Sequence, residues 1–188
     1  MALNQGKLRI IGGYWRSRMI TFPYRSDLRP TPDRVRETLF NWLGQDLNGM
    51  RCLDLFAGSG ALGFEAASRG AAKVIMVESD GIVYKALLEN RKKLKADQIE
   101  LVNMDAAVFL ASDRRQFDVV FLDPPYRLEL LSEIMPLLQP LLTKRGQVYL
   151  ETRIPWIPDQ QWQIWRKGKA GKVNYQLLEL HPVLDNHG

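Results

Sequence analysis

Apolar and polar positions alternate along this chain in blocks that predict β-strands separated by helices. Short apolar runs predict strands at residues 51–56, 73–78, 99–103, 117–122 and 147–152. Longer stretches between them predict helices at 61–69, 80–95, 106–112 and 128–142. Because strands that alternate with helices form parallel βαβ units, the pattern predicts a mostly parallel α/β sheet.

The last part of the chain departs from this alternation. Segments 161–165 and 173–180 are strand-like but have no helix between them. They predict an antiparallel hairpin at one edge of the sheet. Together with the five strands above, this hairpin gives a seven-stranded sheet.

The first 50 residues precede the first strand of this sheet. Residues 8–13 and 18–22 predict a short hairpin, and Thr31, followed by a proline, predicts the N-cap of a helix. The apolar face of that helix is expected to pack against the sheet. We therefore expect a basic arm and helix over residues 1–50, appended to a core domain over 51–188.

The composition is typical of a single globular domain, with 46% hydrophobic residues in 188. No apolar run approaches the roughly 20 residues that span a bilayer, and the first residues contain no apolar signal segment, so we expect a cytoplasmic protein. The absence of a heptad pattern favours a monomer. Cys52 is expected to be a small buried side chain. Both histidines, His181 and His187, lie near the C-terminal end, so we expect neither a metal site nor a histidine-based triad.

Positive charge is concentrated in the first 40 residues, which contain eight basic and three acidic side chains. The excess of five equals the net charge of the whole chain. Seven of the eight are arginine, whose planar guanidinium binds phosphate with two hydrogen bonds and stacks on bases. Tyr14, Trp15 and Tyr24 lie among them, which favours contact with nucleic acid over a merely solvated basic face. The candidate contacts are Arg9, Arg16, Arg18, Arg29 and Arg34.

A second basic run, residues 166–172, lies between the two strands of the predicted edge hairpin. Lys167 and Lys169 are further candidates for phosphate contact. The same run is equally well explained as the soluble tip of an edge hairpin.

A glycine-rich turn follows the first strand of the predicted sheet. From Cys52 to Gly63 the sequence reads CLDLFAGSGALG, which places Gly58 and Gly60 between a strand and a helix. Glycine at these positions lets the backbone approach a ligand closely. The spacing also matches the dinucleotide-binding fingerprint, and Glu78 ends the next strand where a ribose-binding acid is expected.

Asp54 favours a cationic ligand at this turn. It lies inside the strand, four residues before Gly58, where a pyrophosphate-binding turn gains nothing from a negative charge. S-adenosylmethionine carries a sulfonium and an ammonium group, so an acid beside the turn is electrostatically favourable, and Glu78 can accept both ribose hydroxyls. Otherwise Asp54 is a buried strand carboxylate that needs a hydrogen-bond partner.

The sequence Asp123-Pro124-Pro125-Tyr126 directly follows the strand predicted at 117–122. In an α/β sheet, ligands bind at this end of the strands. The Asp123 carboxylate and the Pro124 carbonyl could accept both N–H groups of a planar exocyclic amine and direct its lone pair towards an electrophile. The prolines stiffen the loop and remove competing N–H groups, and Tyr126 could stack on the base. The alternative is an ordinary strand-ending turn.

Three segments together carry a resemblance to a known family. DLFAGSGALG, DPPY and the arm RIIGGYWRSR followed by RPTPDRVRETLFNWL are similar to the bacterial small-subunit rRNA guanine-N2 methyltransferases, the guanine-966 type. The similarity extends over nearly the whole chain. It implies the class I S-adenosylmethionine-dependent methyltransferase fold, with a Rossmann-like core over 51–188. It also implies methyl transfer to the N2 amine of a guanine in 16S rRNA, free or in the small ribosomal subunit.

The resemblance further implies roles for individual residues. Methyl transfer would be a direct displacement without a metal or a covalent intermediate, in which Asp123 orients the amine of a nucleotide that is flipped out or lies in a loop. The residues implied are Asp54, Phe56, Ala57, Gly58 and Gly60 for the methionine part of the cofactor, Glu78 for the ribose, Asp105 and Ala106 for the adenine, Thr31 and Arg36 for the cofactor carboxylate, and Asp123 to Tyr126 for the target base.

Three other functions stay open from the residues alone. A DNA adenine-N6 methyltransferase shares DPPY and the glycine turn but usually adds a target-recognition region, for which little chain remains. A dinucleotide-dependent oxidoreductase explains the glycines and Glu78 but leaves Asp54 and the basic arm unexplained. A non-catalytic RNA-binding module, such as a ribosome assembly factor, explains the arginines only.

Overall fold

The computed structural model describes residues 5–25, 28, 30–125 and 128–181. Its strands are β1 (Gln5–Arg9), β2 (Met19–Pro23), β3 (Arg51–Asp54), β4 (Lys73–Val77), β5 (Ile99–Val102), β6 (Phe117–Leu122), β7 (Leu142–Thr152), β8 (Trp162–Ala170) and β9 (Val173–Leu180). Its helices are α1 (Asp33–Trp42), α2 (Ala61–Ser68), α3 (Gly81–Leu94), α4 (Ala106–Ser112) and α5 (Leu128–Leu138), followed by a short 3-10 turn at Gln139–Leu141.

Seven of these strands form one sheet in the order β5-β4-β3-β6-β7-β9-β8. The strands from β3 to β7 run parallel, and β9 is antiparallel to both of its neighbours. The chain adds strands first on one side of β3 and then on the other, so the topological switch point lies between β3 and β6. The predicted mostly parallel sheet with an antiparallel edge hairpin is confirmed.

Helices cover both faces of the sheet. On one face, α1, α2, α3 and the arm strands pack around Cys52, which is fully buried as expected. On the other face, α4 and α5 pack around Leu53 and Val120. The rings of Phe40 in α1 and Phe121 in β6 lie 6.0 Å apart, so the predicted packing of the leading helix against the sheet is confirmed.

The arm hairpin, formed by β1, β2 and the turn between them, lies along α3. The Asn90 side chain of α3 exchanges two hydrogen bonds with the backbone of Thr21 in β2, at 3.0 and 2.7 Å. Lys93, at the end of α3, donates to a β2 carbonyl, while Arg25, just after β2, pairs with Asp80 at the start of α3. Because α3 has 14 residues and is therefore about 20 Å long, the hairpin links two ends of the molecule that are about 20 Å apart.

Four predicted boundaries are wrong by several residues. The first arm strand covers Gln5–Arg9 rather than 8–13, because these are the residues that pair with β2. Strand β8 extends to Ala170 rather than ending at 165, because residues 166–170 pair with β9, so most of the basic run 166–172 lies in a strand and not between the two strands. Helix α5 ends at Leu138 rather than at 142, because Pro140 cannot donate the hydrogen bond that would continue an α-helix. Strand β7 begins at Leu142 rather than at 147, since its first residue pairs with Phe117 before the register shifts.

The prediction that Thr31 caps α1 is also wrong. The helix begins at Asp33, and its N-terminus has no side-chain cap. The Thr31 hydroxyl instead donates to Glu151 of β7 at 3.2 Å. None of the helices in the described ranges is long and apolar enough to cross a membrane.

Candidate active site

A cavity of about 580 Å³ opens at the carboxyl ends of the parallel strands, beside the switch point of the sheet. Four separate predicted segments meet there: the turn 54–59, Glu78, residues 105–106 and residues 123–125. Thr31 also lines this cavity. The structure therefore brings the residues of the glycine turn and of the Asp-Pro-Pro loop into one site.

The glycine turn has a backbone that requires its glycines. Gly58 and Gly60 have φ angles of +50° and +81°, in the left-handed region that other residues rarely adopt. A Cβ atom on Gly60 would also lie only 2.6 Å from the Phe64 ring. The turn thus passes directly from β3 into the N-terminus of α2. Its residues from Asp54 to Ser59 line the cavity, whereas Gly60, also predicted to hold the cofactor, does not.

Asp54 is buried at the end of β3, with only 2% of its surface exposed. Its carboxylate accepts a hydrogen bond from the backbone N–H of Gly63 at 3.0 Å, which supplies the partner that a buried strand carboxylate requires. Burial and the charge of the nearby Glu78 together raise the pKa of Asp54 to about 7, against the lowering effect of this bond. A cation bound in the cavity would favour its ionised form.

Glu78 joins the ends of β4 and of the glycine turn. One of its carboxylate oxygens accepts from the N–H of Gly58 at 2.9 Å, and the other accepts from the N–H of Asp80 at 2.8 Å. A carboxylate has about four acceptor positions, so both oxygens keep capacity for hydroxyl groups. The geometry is suited to the ribose contact predicted for this residue.

Asp105 is placed at the cavity but has a structural task of its own. It is the N-cap of α4, where its Oδ1 accepts from the N–H groups of Ala107 and Val108. Met104 and Ala106, on either side of it, also line the cavity. This arrangement offers an apolar surface beside a polar helix N-terminus.

Three carboxyl groups follow one another on the same face of the sheet: Asp54, Asp123 and Glu151. Pairing of Phe121 with Tyr149 continues along β6 and β7, so Asp123 and Glu151 follow as neighbours on adjacent strand ends. Burial, with the charges of Glu151 and Asp54, raises the pKa of Asp123 well above its ordinary value. Burial likewise raises the pKa of Glu151. Tyr126, predicted to receive the base, lies outside the described residues.

Glu151 was not predicted from the sequence. It is 7% exposed and accepts hydrogen bonds from the hydroxyl groups of Thr31 at 3.2 Å and Tyr149 at 3.1 Å. Because the hydroxyl hydrogen of Thr31 is donated to Glu151, the Thr31 oxygen can act only as an acceptor towards a ligand in the cavity. This does not suit the contact to the cofactor carboxylate that the family resemblance implied for Thr31, because a carboxylate has no hydrogen to donate. The signal in the sequence was a glutamate that directly follows the buried run 148–150 of β7.

Comparison with known proteins places this chain in a family. The family model described as conserved hypothetical protein 95 matches residues 8–179. A curated relative, ribosomal RNA small subunit methyltransferase D of Escherichia coli, is 44% identical over 94% of this chain and 91% of its own length. This chain belongs to the ribosomal RNA small subunit methyltransferase D family. The family predicted from the sequence is thereby confirmed.

Solved structures agree with this assignment. A putative methyltransferase from Escherichia coli has 43% sequence identity and a TM-score of 0.85, and the match covers 93% of this chain and 98% of that one. An RNA methyltransferase from Salinibacter ruber, solved with S-adenosyl-L-homocysteine, shares the fold at 22% identity and a TM-score of 0.64, over 84% of this chain and 99% of that one. The fold is that of the class I S-adenosylmethionine-dependent methyltransferases, as predicted.

Arg36 is placed differently from the site that the family resemblance implied. It does not line the cavity but is buried, with 1% exposure, beside Glu65 of α2. Its guanidinium bonds to Glu65 at 3.3 Å, to Asp33 at 2.5 Å, and to the carbonyl oxygens of Thr31 and Arg9. Glu65 also binds the arm turn and Arg69, so it is a buried hub that sequence reasoning missed. Arg36 thus holds the arm, α1 and α2 together.

The basic residues predicted to contact RNA lie at two different ends of the molecule. Arg34 is exposed in the first turn of α1, close after the cavity residue Thr31, and Arg9 is exposed beside it, paired with Asp33. Lys167 and Lys169 are exposed on the β8–β9 hairpin, whose tip is in register with the carboxyl end of β7. Arg16 and Arg18 are exposed on the arm turn, near the opposite end of α3. Arg29 lies outside the described residues.

Proposed function

We propose that this protein transfers a methyl group from S-adenosylmethionine to the exocyclic N2 amine of a guanine in 16S rRNA of the small ribosomal subunit. The observation that carries the proposal is the single cavity shared by the glycine turn and the Asp123-Pro124-Pro125 loop, in a chain of this family. The names of the relatives supply the reaction class and the rRNA of the small subunit. The chemistry of the cavity supplies the arguments for the cofactor and for guanine.

The residues of the cavity fit the cofactor. Asp54, beside the glycine turn, suits the cationic methionine part, and Glu78 suits the two ribose hydroxyls. Met104 and Ala106, with the N-terminus of α4, suit an adenine ring and its polar edge. When bound, the cofactor supplies an electrophilic methyl group on a sulfonium.

Asp123 and Pro124 prepare the amine. The exocyclic nitrogen of guanine is a poor nucleophile because its lone pair is delocalised into the ring. The Asp123 carboxylate and the Pro124 carbonyl can accept its two N–H groups, which favours a pyramidal nitrogen with its lone pair directed into the cavity. Two consecutive prolines keep this loop rigid, so positioning of the amine provides most of the rate enhancement.

The acceptors around Asp123 favour guanine over adenine. Guanine presents N–H donors on both N1 and N2, whereas adenine presents an amine beside a ring nitrogen that is an acceptor. Thr31 offers only an acceptor to the cavity, because Glu151 binds its hydroxyl hydrogen. A row of acceptors at Asp123 and Thr31 is therefore complementary to guanine and would repel the N1 position of adenine.

The exposed basic side chains at this end of the molecule suit an RNA substrate. Arg34, in the first turn of α1, lies on the same edge of the fold as the cavity, as do Lys167 and Lys169 on the β8–β9 hairpin. Their charges can bind the phosphates that flank the target nucleotide. The target guanine would leave its stack to enter the recessed cavity.

The decisive experiment is methyl transfer with nucleoside analysis. Labelled S-adenosylmethionine is incubated with the protein and with small ribosomal subunits, free 16S rRNA or DNA from cells that lack the protein. We expect N2-methylguanosine in subunits or rRNA, and its loss with Asp123→Ala. N6-methyladenosine in DNA would instead identify an adenine methyltransferase, and no transfer to any acceptor would indicate a binding role. Unchanged transfer by Asp123→Ala would refute the assignment of Asp123.

A further inference from the structure

A second cavity, of about 600 Å³, lies at the opposite end of α3 from the candidate active site. Its walls are the arm turn and the last turn of α3, and we call it the arm groove. Asp80, at the start of α3, lines the active-site cavity, so the two cavities are separated by about the length of this helix, roughly 20 Å. The arm groove is lined chiefly by Tyr14, Trp15, Arg18, Lys93, Lys95 and Gln98.

We propose that the arm groove binds a second segment of the RNA whose target guanine enters the active-site cavity. The identity of this RNA rests on the proposed function. The contact itself rests on the charge and the aromatic surface of the groove.

The positive charges of the groove are held in place without being neutralised. Arg18 donates to the carbonyl oxygen of Lys93 at 3.1 Å, and the Lys93 ammonium donates to the carbonyl oxygen of Met19 at 2.9 Å. Within the described ranges, neither these two side chains nor Lys95 forms an ion pair with a carboxylate. Basic residues at a helix C-terminus also complement the helix dipole, but that effect does not explain the aromatic residue beside them.

Tyr14 is that aromatic residue, and it is 93% exposed. The turn that carries Tyr14 is fixed against the end of α2. The backbone N–H of Tyr14 donates to the carbonyl oxygen of Ser68 at 2.6 Å, and the N–H of Trp15 donates to the Ser68 hydroxyl at 2.8 Å. Gly13 has a φ of +75°, and a Cβ atom there would lie 1.9 Å from the Ser68 carbonyl oxygen. An exposed ring on a fixed turn, beside unneutralised cations, is the arrangement on which single-stranded RNA stacks its bases.

The test compares charge removal in the groove with the same removal elsewhere. Lys93→Gln combined with Lys95→Gln removes two charges from the groove, and Lys144→Gln combined with Arg145→Gln removes two exposed charges from the start of β7. Binding to protein-free 16S rRNA is measured over a range of salt concentrations, after urea unfolding has shown that each variant is folded. We expect the groove variant alone to bind about tenfold more weakly. The slope of log affinity against log salt concentration should decrease by the amount that corresponds to about two phosphate contacts.

The aromatic contact has its own pair of variants. Tyr14→Ala should weaken binding to 16S rRNA about tenfold, whereas Tyr14→Phe should keep the wild-type affinity, because stacking needs the ring and not the hydroxyl. In methyl transfer, both the groove variant and Tyr14→Ala should raise KM for subunits with little change in kcat. A short RNA that contains only the target loop should not distinguish these variants from the wild type, since it cannot reach the groove.

Three results would separate this inference from its competitors. Equal affinities of the groove variant and the Lys144/Arg145 variant would overturn it. Weaker binding to ribosomal subunits with unchanged binding to protein-free rRNA would also overturn it and would indicate a protein partner. Weaker RNA binding as expected, with no methyl transfer by the wild type, would support the groove and refute the proposed function.

Discussion

The carboxylate of Glu78 accepts the backbone N–H of Gly58 at 2.9 Å and so fixes the glycine turn to the end of the neighbouring strand. Replacing Glu78 by Ala removes the proposed ribose acceptor and leaves this N–H without its partner. We expect Glu78→Ala to weaken S-adenosylmethionine binding about 10- to 100-fold by isothermal titration calorimetry, because two effects combine. Glu100→Ala, which removes a carboxylate from a surface ion pair on β5, is the control and should bind normally.

Asp54 should make the stability of the cofactor-free protein fall as the pH rises. The folded protein keeps this proton up to about pH 7, whereas the unfolded chain loses it near pH 4, so the folded state binds more protons between these values. Asp123 and Glu151 act in the same direction. Asp54→Asn keeps the bond to Gly63 but cannot ionise. Its loss of stability between pH 5 and pH 7.5 in urea unfolding should be smaller than that of the wild type by on the order of 2 kcal/mol.

The same carboxylate predicts how cofactor binding depends on pH. If Asp54 ionises to pair with the cationic cofactor, the affinity of the wild type for S-adenosylmethionine should rise between pH 6 and pH 8, and that of Asp54→Asn should be lower and nearly constant. Parallel pH profiles for the two proteins would show that Asp54 has only a structural role.

Thr31 should contribute to the choice of base. Thr31→Val keeps the shape of the side chain but removes the acceptor that faces the cavity. We expect kcat/KM for 16S rRNA to fall about tenfold while the affinity for S-adenosylmethionine stays within a factor of two. Thr38→Val, in α1, removes a hydroxyl whose hydrogen bond, among the residues that the structure describes, is to the carbonyl oxygen of Arg34 in the same helix, and it should leave both quantities unchanged. 2-Aminopurine at the target position lacks the N1 hydrogen. Replacing guanine by 2-aminopurine should therefore lower kcat/KM more for the wild type than for Thr31→Val.

Arg36 should act on stability rather than on the cofactor. Arg36→Met leaves the buried Glu65 with fewer positive partners and should lower the free energy of unfolding by about 3 to 5 kcal/mol in urea. Arg34→Met, two residues away and exposed, should change it by less than about 0.5 kcal/mol. A normal stability with a large loss of cofactor affinity for Arg36→Met would restore the role implied by the family resemblance.

The order of strands and helices could be predicted because each element carries its own pattern. The bounds of β6 and α4 agree with the predicted 117–122 and 106–112, since an apolar run or an amphipathic face ends there together with its turn residues. The glycine turn and the Asp-Pro-Pro loop could also be placed at one edge, because the carboxyl ends of parallel strands meet.

Partners far apart in the chain could not be predicted. Nothing near Thr31 shows that its hydroxyl binds a glutamate 120 residues later, and nothing near Arg36 shows that Glu65 faces it. The arm illustrates the same limit. Its arginines form one cluster in the sequence, but the hairpin runs along α3 and separates them. Arg18 lies near the C-terminal end of that helix, whereas Arg25 lines the active-site cavity.

The position of β9 determines when the β7-β9-β8 side of the sheet can form during synthesis. Of the described strands, β9 is the last to be made, yet it lies between β7 and β8 and pairs with both. A nascent chain that ends before residue 173 has no partner for the outer side of β7, the strand that carries Tyr149 and Glu151. The acceptor geometry around Thr31 is therefore completed late, and co-translational folding of the cavity must wait for nearly the whole chain.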